Sequence, residues 1–203
     1  IFAVLQRRET FATSGTRIRL RLFAGWNYTP GLLGQRDWLE QAYADGVPMG
    51  SDLPVSPVGA VPAFLMWAAK APDGANLDRA QIVKVWLDGD TAKEQVFDVA
   101  LSDGRVVDPA SGRAPRLPST VDLDKGTYED RVGAAELTAY WKDPAFDPRQ
   151  SAVYYLRVLE IETPRWTTLM AARTGLPRPQ ATAATIQERA WSSPIWYRAQ
   201  ASR

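Results

Sequence analysis

Arg8-Glu9-Thr10-Phe11-Ala12-Thr13-Ser14-Gly15-Thr16-Arg17-Ile18-Arg19-Leu20-Arg21-Leu22-Phe23 is the stretch from which the fold class is read. In its second half Arg17, Arg19 and Arg21 alternate with Ile18, Leu20 and Leu22. That period of two predicts a half-buried strand running on from Thr16. Before it, Thr10 to Thr16 is small, β-branched and interrupted by Gly15, which predicts a turn or short extended link. Earlier still, Ile1, Phe2 and Leu5 fall on one helical face. Arg7 and Arg8 stand where a helix C-terminus favours cations, so residues 1 to 8 are expected to be the last turns of a helix.

Outward from this stretch, residues 24 to 61 are punctuated by Gly and Pro, with a short helix expected over Arg36 to Ala44. A loop of that length inside a compact domain is often functional. Strand patterns return at Ala63 to Lys70, Gln81 to Asp88 and Gln95 to Leu101, with Asp73-Gly74, Asp88-Gly89 and Asp103-Gly104 as turns. Residues 108 to 120 read as irregular, and Arg131 to Trp141 fits strand and helix about equally. Ser151 to Glu162 is β-branched and aromatic on both faces, as a central strand should be. Residues 163 to 190 show no clear element, and Trp191 to Tyr197 is expected to close the chain as an edge strand, where Pro194 is tolerated. The expected fold is therefore mainly β, an antiparallel β-sandwich with long irregular loops. Buried aromatics should hold its sheets together, with Trp67 and Trp86 as the residues to examine.

The composition excludes more than it asserts. There are 24 Lys and Arg against 23 Asp and Glu, a net charge of +1, so no nucleic-acid partner is expected. No apolar run approaches the roughly 18 residues of a membrane-spanning helix. With no Cys, the chain has no disulfide, thiolate nucleophile or Cys-based zinc site. With no His, it has no imidazole base, no Ser-His-Asp triad and no imidazole metal ligand. Chemistry in these residues would rest on carboxylates, Lys, Arg or Tyr.

Several groups invite a functional reading. Arg17, Arg19 and Arg21 stand about 7 Å apart on one strand face. Their planar donor forks could take phosphate or carboxylate, although a solvated or domain-facing strand surface explains them as well. Trp26, Trp38 and Tyr43 in the long loop are candidate ligand contacts, as in a carbohydrate- or protein-binding sandwich, and packing is the plainer role for most Trp residues. Asp122-Leu123-Asp124-Lys125-Gly126 starts like a calcium loop, but the twelfth position holds Gly133 where Glu would be needed. No metal ligand set follows from the sequence.

A resemblance runs through the chain in order. Arg8 to Ile18 is similar to the segment that follows the catalytic barrel in PHP-superfamily hydrolases of the CehA/McbA kind, and most similar to their relatives in the DUF3604 family. Gly46 to Pro54, Asp73 to Arg79, Tyr154 to Glu160, Thr163 to Thr167 and Gln187 to Trp196 resemble that family too. The resemblance implies a bacterial parent protein, a hydrolase, of which phosphoesterases are one class. Its distorted (β/α) barrel would hold Zn, Mn or Fe on His, Asp and Glu upstream of these residues. It implies that residues 1–15 are the remnant and seam of that barrel, and that 16–203 form a C-terminal accessory β-sandwich, not catalytic alone. Thr13, Ser14, Gly15 and Arg17 would then face the substrate side or the domain interface. The partner would be the upstream barrel of the same protein. With the lack of Cys, the resemblance points to the periplasm or the cell exterior.

Overall fold

The computed structural model describes residues 1–110 and 112–200. The chain opens with α1 (Phe2–Gln6), β1 (Phe11–Thr13) and β2 (Arg19–Gly25), followed by α2 (Trp38–Asp45), β3 (Gly46–Pro48) and β4 (Asp52–Leu53). Four longer strands come next: β5 (Ala63–Ala69), β6 (Leu77–Asp88), β7 (Thr91–Leu101) and β8 (Glu136–Lys142). The last third holds β9 (Ala152–Glu160), β10 (Thr163–Pro164), α3 (Trp166–Thr174), β11 (Thr185–Ile186), β12 (Arg189–Ser192) and β13 (Ile195–Tyr197). Among the described residues, no helix is long and apolar enough to cross a membrane.

The strands form two main sheets, mainly antiparallel, as the alternating pattern predicts. The smaller runs β3-β2-β5-β8. The larger is built around β9, with β6 and then β7 along one edge. The other edge is shared: β12 pairs its C-terminal half and β13 its N-terminal half. Beyond them, β1 pairs β12 and β4 pairs β13, the latter in parallel.

Leu20, Leu22, Phe64 and Met66 from the small sheet meet Ile82, Leu156, Val158 and Ile195 from the large one in a single apolar core. Phe64 lies at its centre, with ring centroids 4.7 Å from Tyr154 and 5.5 Å from Trp141. Trp86 packs against this core, whereas Trp67 points the other way, on the face of β5 that also carries Leu65. That outer face is covered by α2 and the preceding loop, through Phe23, Tyr28, Leu32 and Ala42.

Three local expectations change. The strand opened by the arginine alternation starts at Arg19, because Thr16 and Arg17 turn aside to Glu160 and Asp73. The closing Trp191 to Tyr197 run is not an edge strand but two strands, each with a neighbour on both sides. Pro194 sits in the break between them, where its missing N–H is not needed, and its carbonyl accepts from Gly50 N at 2.9 Å. Within residues 163 to 190 lies α3, whose periodicity is weak because only Thr168 is buried; Gly175, at φ 71°, ends it in the left-handed conformation.

A buried charge crosses the core. Lys84 projects inward from β6 and is 3% exposed. Its Nζ donates to Asp143 Oδ2 at 2.6 Å and to the Ala145 carbonyl at 2.7 Å. Tyr154 donates to the same carboxylate oxygen at 2.7 Å, and Ala145 N to the other at 2.9 Å. Asp143 directly follows β8, so this network ties the two sheets together. Removing one member leaves the other charged and buried, a loss of about 3–5 kcal/mol. Asp143→Ala is therefore expected to lower stability by about that amount, while Lys84→Met combined with Asp143→Leu recovers most of it, as read by urea unfolding. Equal destabilisation in both would show that packing, not charge, sets the requirement.

Candidate functional site

The turn at Ser14-Gly15-Thr16-Arg17 forms one wall of a cleft of about 590 Å³. The opposite walls come from the Ala71–Ala75 turn, from Gly126 to Tyr128, and from Leu169 and Arg173 of α3. At the bottom lies Glu160, the last residue of β9. Its position follows from strand parity: Ala152, Tyr154, Leu156, Val158 and Glu160 all project inward. A carboxylate thus closes the end of a row that is otherwise uncharged.

Glu160 is 2% exposed and accepts a hydrogen bond from Thr16 Oγ1 at 2.5 Å. Burial raises its pKa; the Thr16 hydrogen bond opposes that rise, and the nearby Glu188 and Asp130 charges add to it. Glu188, also in the wall, is held by the Ser14 hydroxyl. Ser14 in turn receives Arg189 N at 2.9 Å and donates its own N–H to the Arg189 carbonyl at 3.0 Å, locking the turn onto β12. At the rim Arg17 pairs with Asp73 at 2.7 Å, both side chains largely exposed. Gly74 lets the chain pass close: a Cβ there would stand 3.1 Å from Glu160 Oε1 and 3.2 Å from Thr16 Oγ1. Chemically, the cleft offers three carboxyl groups, Glu160 with its pKa raised by burial, Glu188, and Asp73 paired with Arg17, and two guanidinium groups, Arg17 and Arg173. That set suits hydrogen bonding to a hydroxylated or cationic group, and proton exchange with it.

Of the sequence-derived candidates, Gly15 and Arg17 line the cleft, and Ser14 orients Glu188. Thr13 lies one step back in β1, paired with Ala190. Trp26, Trp38 and Tyr43 do not share a surface. Trp26 packs on Phe146 and Tyr197 at 5.7 and 6.0 Å between centroids, while Trp38 and Tyr43 both stand edge-on to Phe23. Arg19 and Arg21 do not reach the cleft, and Arg21 hydrogen-bonds Tyr43 at 3.4 Å. Glu160 and Glu188 are additions that only the structure supplies, although a charged residue at an inward position of the strongest strand was a signal in the sequence.

The divalent metal implied for the parent protein does not fit the residues of this chain. It has neither His nor Cys, and among the described residues no three Asp or Glu side chains are grouped to hold an ion. Replacing Glu160 tests the cleft's electrostatics. A raised carboxyl pKa opposes folding once pH climbs above the ordinary glutamate range, in full above the folded value, and contributes nothing below that range. Glu160→Gln should therefore gain stability relative to the parent at about pH 7 and lose that gain towards about pH 3. A pH-independent difference in denaturant unfolding would show that the carboxyl titrates normally.

No curated protein and no solved structure matches the chain. One family model does, over residues 1–199, and it is described as a protein of unknown function. A match of that length leaves only the last few residues outside it. The chain therefore belongs to the DUF3604 family.

Proposed function

We propose that these residues form an accessory β-sandwich of a PHP-type metal-dependent hydrolase, of the phosphoesterase class or near it, packed on a catalytic barrel that precedes them. The observation that carries this reading is α1. Ile1, Phe2 and Leu5 are 102%, 73% and 58% exposed, and no residue of the helix is buried, although its sequence is mostly apolar. Exposed apolar side chains on one helix are of the kind that another domain covers.

Two residues that follow the helix are anchored to the sandwich. Arg8 stacks over Trp196 at 4.7 Å, and its carbonyl lies against Gly50, where a Cβ would come within 2.2 Å. Glu9 accepts a hydrogen bond from Tyr43. Chain continuity from this exposed helix through β1 to the Ser14–Arg17 turn supports the reading that the cleft lies towards the domain boundary, where it would help shape substrate approach. In the barrel, bound Zn, Mn or Fe would lower the pKa of water for hydrolysis. The residues of this chain would position and shield. The alternative of a carbohydrate- or protein-binding module through Trp26, Trp38 and Tyr43 has less support, since each of these rings already has aromatic packing partners.

Two measurements test the reading. The protein carrying the upstream domain should hydrolyse a generic phosphodiester with added Mn²⁺ or Zn²⁺, and the 203-residue chain should not. Phe2→Glu with Leu5→Glu should leave the sandwich's own melting temperature within about 2 °C while making the domain junction sensitive to limited proteolysis. Stoichiometric, tightly held transition metal in the isolated chain, or an unchanged junction in the double variant, would overturn it.

A further inference from the structure

On the outer face of the large sheet, the segment 112–120 crosses over β6, β7, β9 and β12 and borders a cavity of about 770 Å³. The strands present Arg79, Arg157 and Arg189 to it, and the crossing segment adds Arg113 and Arg116. Three carboxylates also line it, and two of them are already neutralised. Asp78 is bound by Arg79 Nε at 3.0 Å and by Arg105, and Asp98 by Arg79 Nη1 at 3.3 Å. Glu162 is the third.

Among the described residues, Arg113, Arg116, Arg157 and Arg189 have no carboxylate within the 4.0 Å of an ion pair. Two of them are nonetheless held in place. Arg157 donates Nε–H to Gln81 at 2.8 Å, and Arg189 donates Nε–H to the Gln187 carbonyl at 3.1 Å. Their terminal nitrogens make no other hydrogen bond among the described residues.

The crossing segment is fastened down, since Arg105 Nη1 donates to the Pro115 carbonyl at 2.8 Å. The framework also favours a site here: β6 is irregular at Leu77/Arg79 and Ala80/Gln81, and such bulges re-aim side chains next to binding sites.

The chain as a whole is nearly neutral, at +1, so this concentration of unpaired guanidinium groups is local. Arg forks match planar and tetrahedral oxyanions bidentately. The volume suits a small organic molecule rather than a single ion. No aromatic ring lines the cavity, so stacking on a base or a sugar face plays no part. We propose that this cavity is a binding site for a small, non-aromatic polyanion carrying two or more phosphate, sulfate or carboxylate groups. The site uses no residue of α1 and stands independently of the accessory-domain reading.

Titration calorimetry of the 203-residue chain with pyrophosphate, citrate and sulfate at constant ionic strength tests this. At least one of the two polyanions should bind at least about tenfold more tightly than sulfate. Arg116→Ala, on the crossing segment, and Arg157→Gln with Arg189→Gln should each weaken that binding about tenfold, while Arg17→Ala, in the other cleft, should not. A thermal melt of each variant without ligand separates lost binding from lost folding. Neither polyanion binding at millimolar concentration, or binding that Arg17→Ala weakens as much as Arg116→Ala does, would overturn the proposal.

Discussion

β9 must satisfy its backbone hydrogen bonds along both edges while alternate side chains face the larger of the two apolar clusters. Its first edge is taken by β6 over most of its length. Its second edge is taken by two short strands, β12 and β13, separated by Ser193-Pro194. Because one strand is shared among three neighbours, the closing strand β13 is held inside the sheet, with β9 on one side and β4 on the other. The N-terminal β1 enters the same sheet through β12, and β4 enters through β13. A slip of one residue in β9 would turn Tyr154, Leu156 and Val158 to the opposite face and break both the core and the pairing.

The inward row on β9 carries two polar groups, Tyr154 near one end and Glu160 at the other, and the two differ in how they are satisfied. Tyr154 belongs to a closed network in which Lys84 and Asp143 find each other across the sheets, with backbone groups taking up further hydrogen-bonding capacity. Among the described residues Glu160 has no such opposite charge against it in an ion pair; it has a hydroxyl and an open cleft. The first arrangement registers the two sheets, and the second leaves chemistry available. On the opposite face of the same strand, Arg157 and Leu159 contribute to the cationic cavity. One strand therefore positions three separate polar assemblies, and their spacing follows from its pleat.

Much of the β framework is legible in the sequence. Ile18, Leu20 and Leu22 alternate with Arg residues and are all buried, because period two can bury one face only. The Ser151 to Glu162 run is β-branched and aromatic on both faces, and it becomes the central strand. The helix in the long loop is legible as well, as Trp38–Asp45. Less legible are segments whose stability comes from a partner. Phe11–Thr13 reads as a link because three residues make no period, yet pairing with β12 makes them a strand. For α3 the obstacle is different: it buries little and lacks a side-chain cap, so neither periodicity nor capping marks it.

The sequence by itself determined the class of fold, the alternation of its principal strands and the absence of imidazole and thiol chemistry, because composition and local period are properties of neighbouring residues. Only the tertiary structure decided which polar residues act together. Glu160 and Thr16 are 144 positions apart, Ser14 and Glu188 are 174 apart, and Lys84 and Asp143 are 59 apart. Their meeting depends on strand order and register, which are settled by the joint burial of distant apolar faces and by the need to pair every buried backbone group. No local pattern encodes that choice, so the sites appear only once the sheets have closed over their core.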